Sequence, residues 1–146
     1  MPALEKFQEF ADALDIIDDE DMRFEYIIDI GKKLKDEDFP DALRIPQNIM
    51  HGCMSQVWLV NQPKNGKNYF LGFSDAIIVK GLVSMMIKSF SGLTADELDA
   101  LTVEHVQRLN LGALTTQRQI GMMAMLEQFK KLGHIAQNDR DNKETH

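Results

Sequence analysis

Apolar residues mark out a succession of short elements along the chain. Leu4, Phe7, Ala11 and Leu14 fall three and four residues apart, which predicts an amphipathic helix over residues 3–14. Asp18, Asp19, Glu20 and Asp21 then place acid where the dipole of a second helix favours it, and Tyr26, Ile27, Ile30 and Leu34 form that helix's inner stripe. Residues 35–48 read as loop, broken by Pro40 and Pro46; Pro46 confines any strand over 44–50 to a sheet edge. Residues 56–60 and 69–73 are strand-like, and Pro63-Lys64-Asn65-Gly66 between them signals a turn, so the pair predicts a β-hairpin. Ser74-Asp75 is read as the cap of a helix over 76–90 that has little polar face and belongs against the sheet. Gly92 ends it. Thr94 to Glu97 is a capping-box pattern opening a short helix, and Thr102 is placed to cap another that closes at Leu109 and Leu111. Thr116 to Gln119 opens a last helix, with Met122, Met125, Leu126, Phe129 and Leu132 inward and Gly133 as terminator. Residues 134–146 are polar and read as a frayed, disordered tail. Helices, a small antiparallel sheet of about three strands, and helices again make an α+β domain over residues 1–133.

Composition narrows the function. A net charge of −7 argues against nucleic acid as a partner, since phosphate binding needs a surplus of Lys and Arg on one face. The sequence has no apolar run long enough to cross a membrane. The start, Met1-Pro2-Ala3-Leu4-Glu5-Lys6, lacks the basic residues and apolar core of a signal peptide, and with one unpaired cysteine this predicts a reducing cytoplasm. The acidic run at 18–21 lacks the alternating oxygen ligands and central Gly of a calcium loop, and no metal site is expected there.

The candidate chemistry rests on Cys53, the single cysteine. Alone it makes no internal disulfide, and without ligands of other kinds it builds no structural zinc site. Two readings stand on local composition: a small buried hydrophobe, or a nucleophile or carrier. Gly52 before it leaves room for a tight turn, and a strand-like run follows.

The residues themselves resemble a known family. Met22 to Gly31, then Gly52-Cys53-Met54-Ser55-Gln56-Val57-Trp58, then Ser74 to Leu82, look like the three signatures of the SufE/CsdE sulfur acceptors, and Leu114 to Gly121 resembles the C-terminal signature. The similarity covers residues 5–132 in the family's order. It departs at His51 and Met54, where the family commonly has a polar residue, often Gln, at Ile77, where Ala is usual, and at Gln117, where Ser is usual.

The resemblance implies a SufE/IscU-like α+β fold with the active cysteine on a loop. It implies a protein that accepts sulfur from a pyridoxal-phosphate cysteine desulfurase of the SufS/CsdA kind and activates that enzyme. Cys53 would take the sulfur as a persulfide and pass it to a downstream acceptor or scaffold for iron–sulfur cluster assembly. The desulfurase carries the cofactor and the acceptor needs none; no independent turnover is expected of it. On this reading His51, Gly52, Ser55 and Gln56 support the thiolate or the loop, and Asp75 and Arg118 lie at the partner surface.

Each has a plainer reading beside it. His51 supports the thiolate or points away; Arg118 meets a partner's acid or solvent; Asp75 is an N-cap rather than a general base; Ser55 and Gln56 orient the loop or line the polar face of the strand. Trp58 is read as core. Two other functions remain: a desulfurase-binding regulator that carries no sulfur, and a relay to a non-cluster pathway such as tRNA modification. A cysteine hydrolase would need a His base near Cys53 and a recognisable hydrolase motif, and an IscU-type scaffold normally uses three cysteines.

Overall fold

The computed structural model of the chain describes residues 2–34, 38–50, 56–102, 104 and 116–144, with backbone alone for 2–4, 116–119 and 142–144. Its first helix, α1 (Pro2–Ile16), buries Phe7, Ala11 and Leu14, the stripe that the spacing predicts. In α2 (Glu20–Lys32) the Asp19 carboxylate accepts the Asp21 and Met22 amides at 2.8 and 3.2 Å, so one acid of the run is the N-cap and two more sit in the first turn. Ile27 and Ile30 are buried.

The hairpin forms as β1 (Val57–Asn61) and β2 (Phe70–Ser74), antiparallel, in the register Val57–Ser74, Trp58–Phe73, Leu59–Gly72. Its tip is tight. Lys64 and Lys67 exchange two backbone hydrogen bonds of 2.9 and 3.0 Å around Asn65 and Gly66, whose φ angles are 55° and 78°. Positive φ at both central residues matches the strand twist, and Asn-Gly adopts it at little cost. The stretch expected as a third, edge strand contributes a single bridge, Ile49 to Trp58, because the chain is wound into a short 3-10 turn over Pro46–Asn48 just before it.

The two faces of the hairpin are covered differently. Val57, Leu59 and Phe70 face the core and are buried. There α3 (Ile77–Phe90) runs through the middle of the domain, packed by α1, α2, β2 and the last helix. Edge-to-face rings tie the layers together: Phe129 meets Phe70 at 4.7 Å and Phe90 at 5.2 Å between ring centres. Trp58 and Phe73 point to the other face, where the segment before the hairpin supplies Phe39, which is fully buried and stacked on Phe73 at 6.3 Å. Trp58 is thus half-buried on this outer face, not in the main core.

After α3, Thr94 and Glu97 form the expected reciprocal capping box of α4 (Ala95–Asp99), with bonds of 3.2 and 3.1 Å. The helix expected after Thr102 and the capping pattern at Thr116–Gln119 lie outside the described residues or side chains. The last helix, α5 (Thr116–Glu144), does not stop at Gly133, and the polar stretch expected as a disordered tail is helical as far as 144. Gly133 serves packing: a Cβ there would sit 2.7 Å from Leu98 Cδ1. Beyond it, His134 Nε2 lies 2.6 Å from Asp99 Oδ1 of α4, Gln137 bonds Asp141 one turn on at 2.9 Å, and Arg140 lies against the Asn65-Gly66 turn. These contacts hold a segment whose own composition offers no apolar stripe.

A buried amide joins the hairpin to the α3–α4 connection. Asn68, 3% exposed, donates from Nδ2 to the Leu93 carbonyl at 2.9 Å and accepts from Asn61 Nδ2 at 2.7 Å. Its backbone N–H also donates to Leu93 O at 2.8 Å, and its carbonyl accepts the Gly92 N–H at 2.6 Å. Asn68→Ala removes the bond to the Leu93 carbonyl and leaves Asn61 Nδ2 only its longer bond to Leu132 O at 3.4 Å. The expected loss, read from the urea midpoint, is about 2–3 kcal/mol.

Candidate functional site

Cys53 lies outside the described residues, as do His51, Gly52 and Ser55. What the structure describes is how the two ends of their segment are held. At the first end, Met50 donates its amide to Val57 O at 2.9 Å, and Ile49 bridges Trp58. Met50 and Val57 are both buried, 3% and 0% exposed. Residues 50 and 57 are therefore side by side on the sheet, and the cysteine segment leaves and returns at one place. At the second end Gln56 is exposed, and its carbonyl accepts the Ser74 hydroxyl at 2.8 Å. The expectation gave the Gln56 side chain the role of orienting the loop; the contact found is made by its backbone.

The start of α3 differs from the expectation. Strand β2 runs through Ser74, so the helix begins at Ile77 and its N-cap is Ala76, which has no side chain able to cap. Asp75 sits in the bend between them, exposed, and is not the cap. The Ser74 hydroxyl accepts the Ala76 amide instead, at 3.3 Å. Arg118 has its backbone in the first turn of α5, and its side chain is outside the described residues. The sequence reading missed Ser74 as a contact of the cysteine segment, since a bond to a carbonyl 18 residues upstream leaves no local trace.

Two cations border the same end of the sheet. The Arg44 guanidinium lies 4.0 Å and the Lys80 ammonium 4.8 Å from the centre of the Phe73 ring. Phe73 is paired with Trp58, one ladder position from the Val57 anchor. Each such contact contributes on the order of 1 kcal/mol and fixes a positive charge on an apolar surface. Asp41 pairs with Arg44, its Oδ1 3.9 Å from Arg44 Nε, so part of this positive charge is balanced locally. Periodicity did not single out Arg44, because it lies in irregular chain.

Among the described residues no three His, Cys, Asp or Glu side chains come together as metal ligands, and no helix is long and apolar enough to cross a membrane. A surface cleft lies at the far end of the hairpin, between the Asn65-Gly66 turn and α5, away from the anchors.

The fold resembles that of a hypothetical protein from Thermus thermophilus solved in solution, with a TM-score of 0.74 over 91% of this chain and 96% of that one, at 14% identity. Relatives lie nearer in sequence. An uncharacterized SufE-like protein of Rhizobium etli is 36% identical over 121 residues, covering 79% of this chain and 80% of the relative. One from Rhizobium meliloti is 36% identical over 121 residues, 78% of this chain and 84% of the relative. One from Synechocystis is 37% identical over 100 residues, 68% of this chain and 62% of the relative. The SufE family, described as an Fe–S metabolism associated domain, matches residues 8–133, nearly the whole of the α+β domain and the cysteine segment with its anchors. On that breadth of agreement the chain belongs to the SufE family.

Proposed function

We propose that this protein accepts sulfur on Cys53 from a cytoplasmic, pyridoxal-phosphate cysteine desulfurase, activates that enzyme, and relays the sulfur to iron–sulfur cluster assembly. Family membership over residues 8–133, with Cys53 the one cysteine of the chain, is the observation that carries this reading. The Cys53 thiolate attacks the outer sulfur of the donor's persulfide. A new S–S bond forms on Cys53, the donor's S–S bond breaks, and the donor cysteine leaves as a thiolate with the bonding pair. No oxidant is consumed, because the transferred sulfur keeps its oxidation level. A free thiol is only a few per cent ionised at neutral pH, so the transfer draws on the small thiolate fraction of Cys53.

The family match spans residues 8–133, and α5 carries on past it to Glu144 against the same domain. The partner surface is the cysteine segment with the starts of α3 and α5 around it, where Asp75 is exposed and Ile77 is 65% exposed. Intact mass under non-reducing conditions tests the reading. With desulfurase and cysteine the chain gains about 32 Da, one sulfur, and a reductant removes it. No gain with an active desulfurase of a matching system overturns it.

A carrier also benefits from shielding a persulfide from solvent reductants and oxidants. Met50 and Val57, the described residues that flank the segment on the sheet, are themselves buried in the core. Alkylation of Cys53 is expected to be slower in the free protein than in urea, and faster again when an inactive desulfurase is added. Equal rates in the three states would remove the shielding.

A further inference from the structure

The cleft at the tip of the hairpin lies away from the cysteine anchors and has no part in sulfur transfer. It holds about 500 Å³, within the roughly 300–1,000 Å³ of small-molecule sites. One wall is the Asn65-Gly66 turn and the other is the part of α5 that continues past Gly133. The floor is built of small residues, Ala95, Gly133 and Ala136. Gly133 keeps it open, since a Cβ there would lie 2.7 Å from Leu98 Cδ1 and 3.5 Å from Asn68 Nδ2. Asn68 also lines the cleft; it is 3% exposed and is held by its bonds to Asn61 and Leu93. Its Nδ2 spends one N–H on the Leu93 carbonyl at 2.9 Å, and the other meets no acceptor among the described residues. A buried N–H without an acceptor costs free energy, which an oxygen atom of a ligand in the cleft would offset.

The rim carries both signs of charge. Lys64 comes from the hairpin turn, and Asp139 and Arg140 come from α5. Arg140 packs on Gly66, whose missing side chain leaves the room for it. Lys64 and Asp139 are exposed and form no ion pair among the described residues. An unspent amide N–H and two cations select a carboxylate. A carboxylate on the same rim selects a cation, and the Ala and Gly floor selects a short apolar group. A free α-amino acid carries all three in one small molecule. We propose that this cleft binds a small free α-amino acid. Its carboxylate faces Asn68 Nδ2 and Lys64, its ammonium faces Asp139, and its side chain rests on Ala95 and Ala136. A plain anion would meet Asp139 with the wrong sign, and the interior of a peptide carries neither charge. Because the cleft has one wall from the hairpin and one from α5, the ligand ties the end of α5 to the hairpin tip. The site does not rest on the sulfur-acceptor reading.

The experiment titrates the isotope-labelled full-length chain with L-alanine, followed by heteronuclear NMR at constant ionic strength. Acetate and methylammonium, the two charged halves of the probe, are titrated separately over the same millimolar range. L-alanine is expected to shift the Asn68 side-chain amide and the Gly66 and Gln137 backbone amides along one saturating curve. Either half alone is expected to give weak shifts that do not saturate. Lys64→Ala and Asp139→Asn are each expected to weaken L-alanine binding about tenfold or more, the share that one charge-assisted bond carries. The Lys64 turn bonds are backbone to backbone, so the variant keeps its turn. Lys67→Ala is the matched control, a lysine of the same turn that does not line the cleft, and is expected to bind as wild type. No saturating shift with L-alanine, shifts that acetate reproduces in full, or a Lys67→Ala chain weakened as much as Lys64→Ala would each overturn the site.

Discussion

Cys53→Ser is expected to abolish both sulfur loading and stimulation of the desulfurase, while leaving the urea midpoint close to that of wild type. The substitution exchanges one atom, and the described anchors of the segment are bonds of Met50 to Val57 and of Ser74 to Gln56. Its chemical consequence is large. A serine hydroxyl ionises far above neutral pH and has no accessible anion to attack the donor persulfide, and oxygen forms no persulfide to relay. The gain of about 32 Da should vanish entirely. The outcome also separates the acceptor from a regulator that binds the desulfurase without carrying sulfur. A regulator acts through its surface, so its Cys53→Ser variant would still raise desulfurase turnover. A Cys53→Ser protein that gains the same mass would mean that the sulfur goes elsewhere on the chain.

The largest loss of stability is expected at Gly81→Ala. Helices α2 and α3 approach so closely that a Cβ on Gly81 would land on the Ile27 carbonyl oxygen and 2.6 Å from Ile27 Cγ2. On the opposite wall, a Cβ on Gly31 would sit 2.8 Å from the Gly81 amide nitrogen. Both obstacles are backbone of a facing helix, which cannot rotate aside as a side-chain tip does. Intrinsic helix preference runs the other way: in a helix interior alanine is favoured over glycine by about 1 kcal/mol. A net loss therefore reports packing alone. We expect more than about 3 kcal/mol, at the upper end of overpacking costs, because α3 contacts nearly every other layer of the domain and cannot shift locally. Urea titration followed by circular dichroism measures it. An unchanged or higher midpoint would mean that the two helices are not in this close register.

Much of the cysteine's setting was legible before any coordinates. Cys53 stood out by being single and by its signature, Asn65-Gly66 announced the hairpin tip, and α3 announced itself as buried by lacking a polar face. Each of these is a local property, carried by one residue or by neighbours within a turn. The structure adds the anchors, Met50 to Val57 and Gln56 to Ser74, and the pair of cations on Phe73. These join residues that sequence reading treated separately: a loop, a strand end and the first turn of a helix.

The differences have the same origin. Ser74-Asp75 carries the composition of a helix cap, yet pairing with Val57 extends β2 through Ser74 and moves the helix start beyond Asp75. Gly133 with a polar sequence after it carries the composition of a helix end, yet contacts with Asp99 and the hairpin turn, far away in the chain, continue α5 to Glu144. By itself the sequence determined the order of the main elements, the acidic start of α2, the capping box at Thr94, the Asn-Gly turn and the identity of the sulfur-carrying candidate, because those depend on interactions within about four residues. Only the tertiary structure decided where β2 and α5 stop, which face Trp58 takes and which hydroxyl meets the Gln56 carbonyl, because each is settled by a partner many residues away whose bond outweighs a local preference of about 1 kcal/mol.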